Sequence, residues 1–104
     1  MAERKIKFVA NVVTWFDRAN GNTYHSVNIA RTRDGAVICV PFSYGYGTMY
    51  EENALLAMAE AKWLPVKYRV RQGRHAYQRE NGYPIMFTVR KGLKRDCVAN
   101  GKAE

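Results

Sequence analysis

Residues 36–65, AVICVPFSYGYGTMYEENALLAMAEAKWLP, hold one strand, one turn and one helix in fixed order, and the rest of the chain has to be arranged around them. Val37, Ile38, Cys39 and Val40 form a short apolar run rich in β-branched residues, which reads as a buried strand. Pro41 removes a ladder donor, so the sheet edge is expected to stop near Phe42. In Tyr44-Gly45-Tyr46-Gly47 the glycines allow a turn that carries two tyrosines. Thr48-Met49-Tyr50-Glu51 fits a capping box, in which the threonine hydroxyl and the glutamate carboxylate exchange bonds with each other's backbone amides. A helix is therefore predicted over 49–64, ending before Pro65 because proline disfavours helical angles in the residue that precedes it. Met49, Leu55, Leu56, Ala59 and Trp63 fall on the stripe expected to face the sheet, with Ala54, Ala57 and Ala61 on a separate small-residue side.

Upstream, apolar alternation from about Lys5 to Phe16 predicts a first strand with two usable faces, which suits a central position. Asn20-Gly21 marks a turn, and a second strand follows over 23–33, with His25, Val27, Ile29 and Arg31 on one side. Asp34-Gly35 then supplies a hairpin turn into the run at Val37. After Pro65, Val66-Lys67-Tyr68-Arg69-Val70-Arg71 alternates apolar and basic residues and reads as a fourth strand. Residues 73–84 read as an exposed loop, residues 85–90 as a last strand, and the basic chain from about residue 92 as a frayed tail. The expected fold class is α+β: one domain over residues 1–104, an antiparallel sheet in the order β-β-β-α-β-β, and one main helix packed on one face.

The net charge of +8 is lopsided: residues 1–65 carry seven basic and six acidic groups, residues 66–104 ten and three. An anionic partner should therefore be drawn to the C-terminal third, and an acidic mimic of DNA is excluded by the sign of the charge. The longest uncharged run, residues 35–50, is too short to span a bilayer, and Lys7 and Asn11 break any signal-peptide core. No membrane partner is expected, and the cytosol is the expected compartment.

Cys39 and Cys97 lack the spacing of a metal or redox motif and read as free thiols, and no metal or other cofactor is expected. Gly45 and Gly47 lack both the lysine of a P-loop and the spacing of a dinucleotide fingerprint, so they read as a turn. His25 and His75 could in principle act as acid and base in metal-independent RNA cleavage, with arginine holding the phosphate, but their spacing does not single this out. The stronger signal is the basic face of Lys67, Arg69 and Arg71, extended by Arg74 and Arg79 and supplemented by Tyr44 and Tyr46 as amphipathic contact area.

The segments NTYHSV at residues 22–27, PFSYGYG at 41–47 and NGYP at 81–84 resemble a group of small bacteriophage and prophage proteins that brings no established activity. The resemblance spans most of residues 20–95 and implies a phage accessory protein working in the bacterial host cytosol. The function expected on this basis is non-enzymatic binding: an anti-CRISPR-like inhibitor or modulator of a host protein or nucleoprotein complex. Direct RNA or DNA binding through the basic C-terminal third is the alternative, and a metal-independent ribonuclease the second one. A homodimer through an exposed strand edge stays open.

Overall fold

The computed structural model describes residues 6–45, 47–68 and 73–102. The fold class is α+β. Strands β1 (Phe8–Asp17), β2 (Asn22–Arg31), β3 (Val37–Tyr44) and β4 (Met86–Lys91) form one sheet in the order β3-β2-β1-β4. The first three strands are sequential hairpins. Gly21 and Gly35, both at positive φ, make the turns read from Asn-Gly and Asp-Gly.

The sheet is mixed, where an all-antiparallel one was expected, because β4 pairs with β1 in parallel, Val9 opposite Met86 through Thr14 opposite Lys91. Parallel pairing requires a crossover, and the chain between β3 and β4 supplies it on one face of the sheet. That crossover holds helix α1 (Met49–Glu60), a short 3-10 turn (Val66–Tyr68) and helix α2 (Gly73–Asn81). The fourth strand predicted from residue 66 is thus replaced, in its described part, by the 3-10 turn, which buries the Tyr68 ring against Tyr77. Residues 69–72 lie outside the described part.

The predicted loop over 73–84 contains α2, whose turns stack Gly73, Tyr77 and Asn81 on one side. The Asn81 amide donates to the Tyr77 carbonyl at 2.9 Å, and Gly82, at φ +82°, stops the helix where Asn-Gly had signalled a turn. The basic tail likewise contains a helix, α3 (Lys94–Asn100).

Two boundaries also differ. β3 runs past Pro41 to Tyr44, since proline is tolerated on an edge strand and the β2–β3 register is irregular nearby. α1 stops at Glu60: the Trp63 amide donates to the Met58 carbonyl and the Lys62 amide to the Ala59 carbonyl, with Lys62 left-handed at φ +62°. This is a Schellman ending with lysine in the place glycine usually takes. α1 is also rotated from the predicted stripe. Ala54, Leu55 and Met58 are buried, whereas Met49 is 48% exposed, because the small Ala54 lets the helix approach the sheet. Thr48 makes no side-chain cap, and Glu51 instead turns inward, its Oε1 lying 3.2 Å from Arg74 Nε.

The core lies between the crossover and one sheet face. Phe8, Ala10 and Val12 of β1, Val27 and Ile29 of β2 and Val40 of β3 meet Leu55, Met58, Tyr68 and Tyr77. α3 covers part of the opposite face. Ser26 Oγ donates to the Cys97 carbonyl, Cys97 Sγ lies 3.2 Å from the Val13 carbonyl oxygen, and the Asn100 amide donates to the carbonyls of Asn11 and Ser26 at 3.0 and 3.2 Å. Cys39 and Cys97 are both free.

Gly101 ends α3 where a Cβ would stand 2.9 Å from the Val40 carbonyl oxygen and 3.0 Å from the Phe42 nitrogen. Gly101→Ala should therefore lower the unfolding free energy by about 1–3 kcal/mol by displacing the end of α3. Urea denaturation of the variant beside the parent checks this, and an unchanged midpoint would mean that the end of α3 has room to give.

Candidate functional site

The residues expected to form one basic and aromatic patch are divided by the sheet. Lys67 and Arg79 are exposed on the crossover side, where Lys67 Nζ lies 2.7 Å from Glu80 Oε1. That contact raises the Lys67 pKa, and Lys67 together with the Tyr68 hydroxyl lowers that of Glu80. Arg74 faces inward, paired with Glu51 and with its guanidinium carbon 5.2 Å from the Phe87 ring centroid. Two of these cations are therefore matched by acids of the same chain. Tyr44 lies on the other face of the sheet, its ring 5.6 Å from that of Tyr24. Arg69, Arg71 and Tyr46 fall outside the described residues.

That other face gathers a different set. Strand alternation and register bring Trp15, Tyr24 and Phe42 side by side next to α3. Tyr24 and Phe42 stack at 4.9 Å with an interplanar angle of 7°, and Trp15 lies 5.5 Å from Tyr24 and 6.2 Å from Phe42. With Tyr44, they make a row of four rings across three strands. α3 runs alongside, burying Cys97 against the sheet while leaving Lys94, Arg95 and Lys102 exposed just within and beyond its ends. Lys94 Nζ sits 5.6 Å from the Trp15 ring centroid, joining the two features. Arg90, opposite Val13 in the register, is exposed on the same face.

The acids near this group are locally engaged. Asp96 accepts the Leu93 amide at 3.1 Å, and Asp17 accepts from Asn20 and Ala19, bonds that lower its pKa. Asp17 also interacts with Lys94, and the two carboxylates stand against four cations, Arg90, Lys94, Arg95 and Lys102, so the face keeps an excess of positive charge beside planar rings. The sequence reading missed it because Lys94, Arg95 and Lys102 were assigned to a frayed tail. The available signal was the spacing of Leu93, Cys97 and Gly101, one helical face, with Lys94, Arg95 and Lys102 off it.

A second cationic group surrounds Trp63, where Lys7, Arg31, Arg33 and Lys62 line a pocket of about 260 Å³. Arg31 makes two bonds to Asp34 there, at 3.1 and 2.7 Å, and holds that carboxyl down at about 2. Among the described residues no cluster of His, Cys, Asp or Glu could hold a metal ion. No described helix is long and apolar enough to cross a membrane. Comparison with protein-family models, with curated proteins and with solved structures finds no match.

His25 is not at the surface: it is 1% exposed, with Nε2 2.9 Å from the Asn53 amide nitrogen. A Cβ on Gly45 would stand 2.8 Å from the ring, so glycine is what lets the chain close over it. His75, by contrast, is exposed on α2. Burial lowers the His25 pKa from 6.5, opposed in part by the Gly45 backbone. The unfolded chain then takes up this proton first, so the stability His25 contributes is complete above 6.5 and is lost as the pH falls through that value toward the lower folded pKa. The urea midpoint should accordingly drop between about pH 7.5 and about pH 5, and His25→Gln should flatten that dependence. A parent midpoint that holds constant over this range would contradict the assignment.

Proposed function

We propose that the protein is a non-enzymatic binding module for single-stranded nucleic acid, and that the face carrying α3 is its contact surface. The observation that carries this reading is the contact of Lys94 with Trp15, in a row of rings with Tyr24, Phe42 and Tyr44, on the face where Arg95, Lys102 and Arg90 are also exposed. Cations attract a phosphate backbone whatever its sequence, and aromatic faces stack on bases only where those bases are not already paired. Rings beside a cationic helix favour a single strand over a duplex for that reason. The module acts in the cytosol of a bacterial host, in the accessory role that the resemblance to phage proteins implies. An anti-CRISPR-like modulator of a host nucleoprotein would apply this same face to the nucleic-acid component.

The test is anisotropy of labelled single-stranded and duplex oligonucleotides between low and physiological salt, without divalent metal. Four cations contacting phosphates predict a log–log salt slope of roughly −3 for single strands, at about −0.7 per neutralised phosphate. The variant Lys94→Glu/Arg95→Glu/Lys102→Glu should lose most of the affinity and most of that slope. Lys67→Glu/Arg79→Glu, on the opposite side, should change affinity by no more than about threefold, the effect of distant charge alone. Equal loss from both variants, or binding that ignores salt, would overturn the assignment of the face.

A further inference from the structure

The end of the sheet beside Lys91 leaves part of β1 without a neighbour. Pairing of β1 with β4 stops at Thr14 opposite Lys91, closed by the Gly92 amide donating to the Thr14 carbonyl at 2.9 Å. β1 continues to Asp17 and from there on pairs with β2 alone. A strand residue directs its own N–H and C=O to one side, and the next residue directs its groups to the other. Thr14 faces β4, so Phe16, two residues on, faces the same way. The partner strand gives the same answer: the Gly45 amide bonds to the Thr23 carbonyl at 3.0 Å, turning Thr23 toward β3 and its register partner Phe16 away from β2.

The main-chain donor and acceptor of Phe16 therefore open into a cleft of about 820 Å³. Trp15, Phe16 and Leu93 supply its apolar lining, and Arg18 and Lys91 its cations. Phe16 and Leu93 are 55% and 56% exposed, an unusual state for two large apolar side chains so close together. An extended peptide is a poor occupant. Strand addition draws on a row of backbone groups, and here the row is one residue long, with Gly92 closing one end and β1 stopping at Asp17, before the next residue that would face the cleft, at the other. A flat ring that carries an adjacent donor and acceptor on one edge fits the length available.

We infer that this cleft takes one unpaired nucleobase, its edge bonded to the Phe16 backbone N–H and C=O, with Arg18 and Lys91 on the phosphates to either side. The inference rests on the single-strand reading above and adds a specific base contact to it. Because the contact uses only a neighbouring donor and acceptor, any base with such an edge is accepted, and the cleft distinguishes base from no base more than one base from another.

The experiment compares an oligouridylate with a fully abasic strand of the same length and charge, both at physiological salt. The intact strand should bind at least about tenfold more tightly, the scale of one well-stacked base. Phe16→Ala should narrow that ratio by removing the ring. Phe16→Pro, which also removes the N–H on the side away from β2, should narrow it further, and far-ultraviolet circular dichroism establishes that the sheet is retained. Equal affinity for the two strands, with the same salt slope, would overturn the base cleft together with base stacking on the ring row and leave only the cationic attraction standing. Binding to neither strand would overturn both. The ring row also stacks on bases, so Phe16→Ala is what assigns the contact to the cleft: a ratio that it leaves unchanged would overturn the cleft, even if the proline variant fails to fold.

Discussion

The seating of α3 on the sheet depends on a small polar patch at an otherwise buried position. Ser26, fully buried in the middle of β2, donates to the Cys97 carbonyl, and Asn100 reaches back to the carbonyls of Ser26 and Asn11. Each such bond is worth on the order of 1 kcal/mol net, but an unmet donor or acceptor at that depth would cost more. A seven-residue helix has too little apolar surface to hold itself, and only Cys97 of α3 is buried. The bonds fix where it sits, and its position decides where Lys94, Arg95 and Lys102 stand relative to the rings of β1, β2 and β3.

The two sheet faces are built on different principles as a result. The crossover face is closed by Leu55, Met58, Tyr68 and Tyr77, and two of the cations near it are matched: Arg74 by Glu51, Lys67 by Glu80. The exposed Lys67–Glu80 pair adds little to stability, but both pairs lower the field available to an external anion. The α3 face is closed by main-chain bonds and a cysteine, and its nearby acids serve the α3 N-terminus and the β1–β2 turn. Four cations against two carboxylates thus leave positive charge beside the aromatic row.

Much of the architecture was legible in the sequence. Period-two alternation and the Asn-Gly and Asp-Gly turns defined three strands in order, and the start of α1 followed from the residues after the glycine turn. Three things were hidden for physical reasons. α2 has only Ala76 and Tyr77 as apolar residues in GRHAYQREN, so no amphipathic pattern announces it, and its helical state depends on Tyr77 finding Phe8, Tyr68 and Tyr83. The parallel placement of β4 depends on the crossover length, which local periodicity does not report. The candidate site needs strands β1, β2 and β3 in register before Trp15, Tyr24 and Phe42 become neighbours, and no spacing along the chain contains that. Lys67 and Arg79 were visible as charges, but the partner of Lys67, thirteen residues away, was not.

The most direct measurement is a map of backbone and indole amide shifts as a short single-stranded oligonucleotide is added to isotope-labelled protein. The account predicts that the Trp15 indole and the amides of Phe16, Gly92, Lys94, Arg95 and Lys102 move together and saturably, while those of Lys67 and Arg79 stay in place. Shifts centred on Lys67 and Arg79, with the α3 amides unmoved, would contradict it.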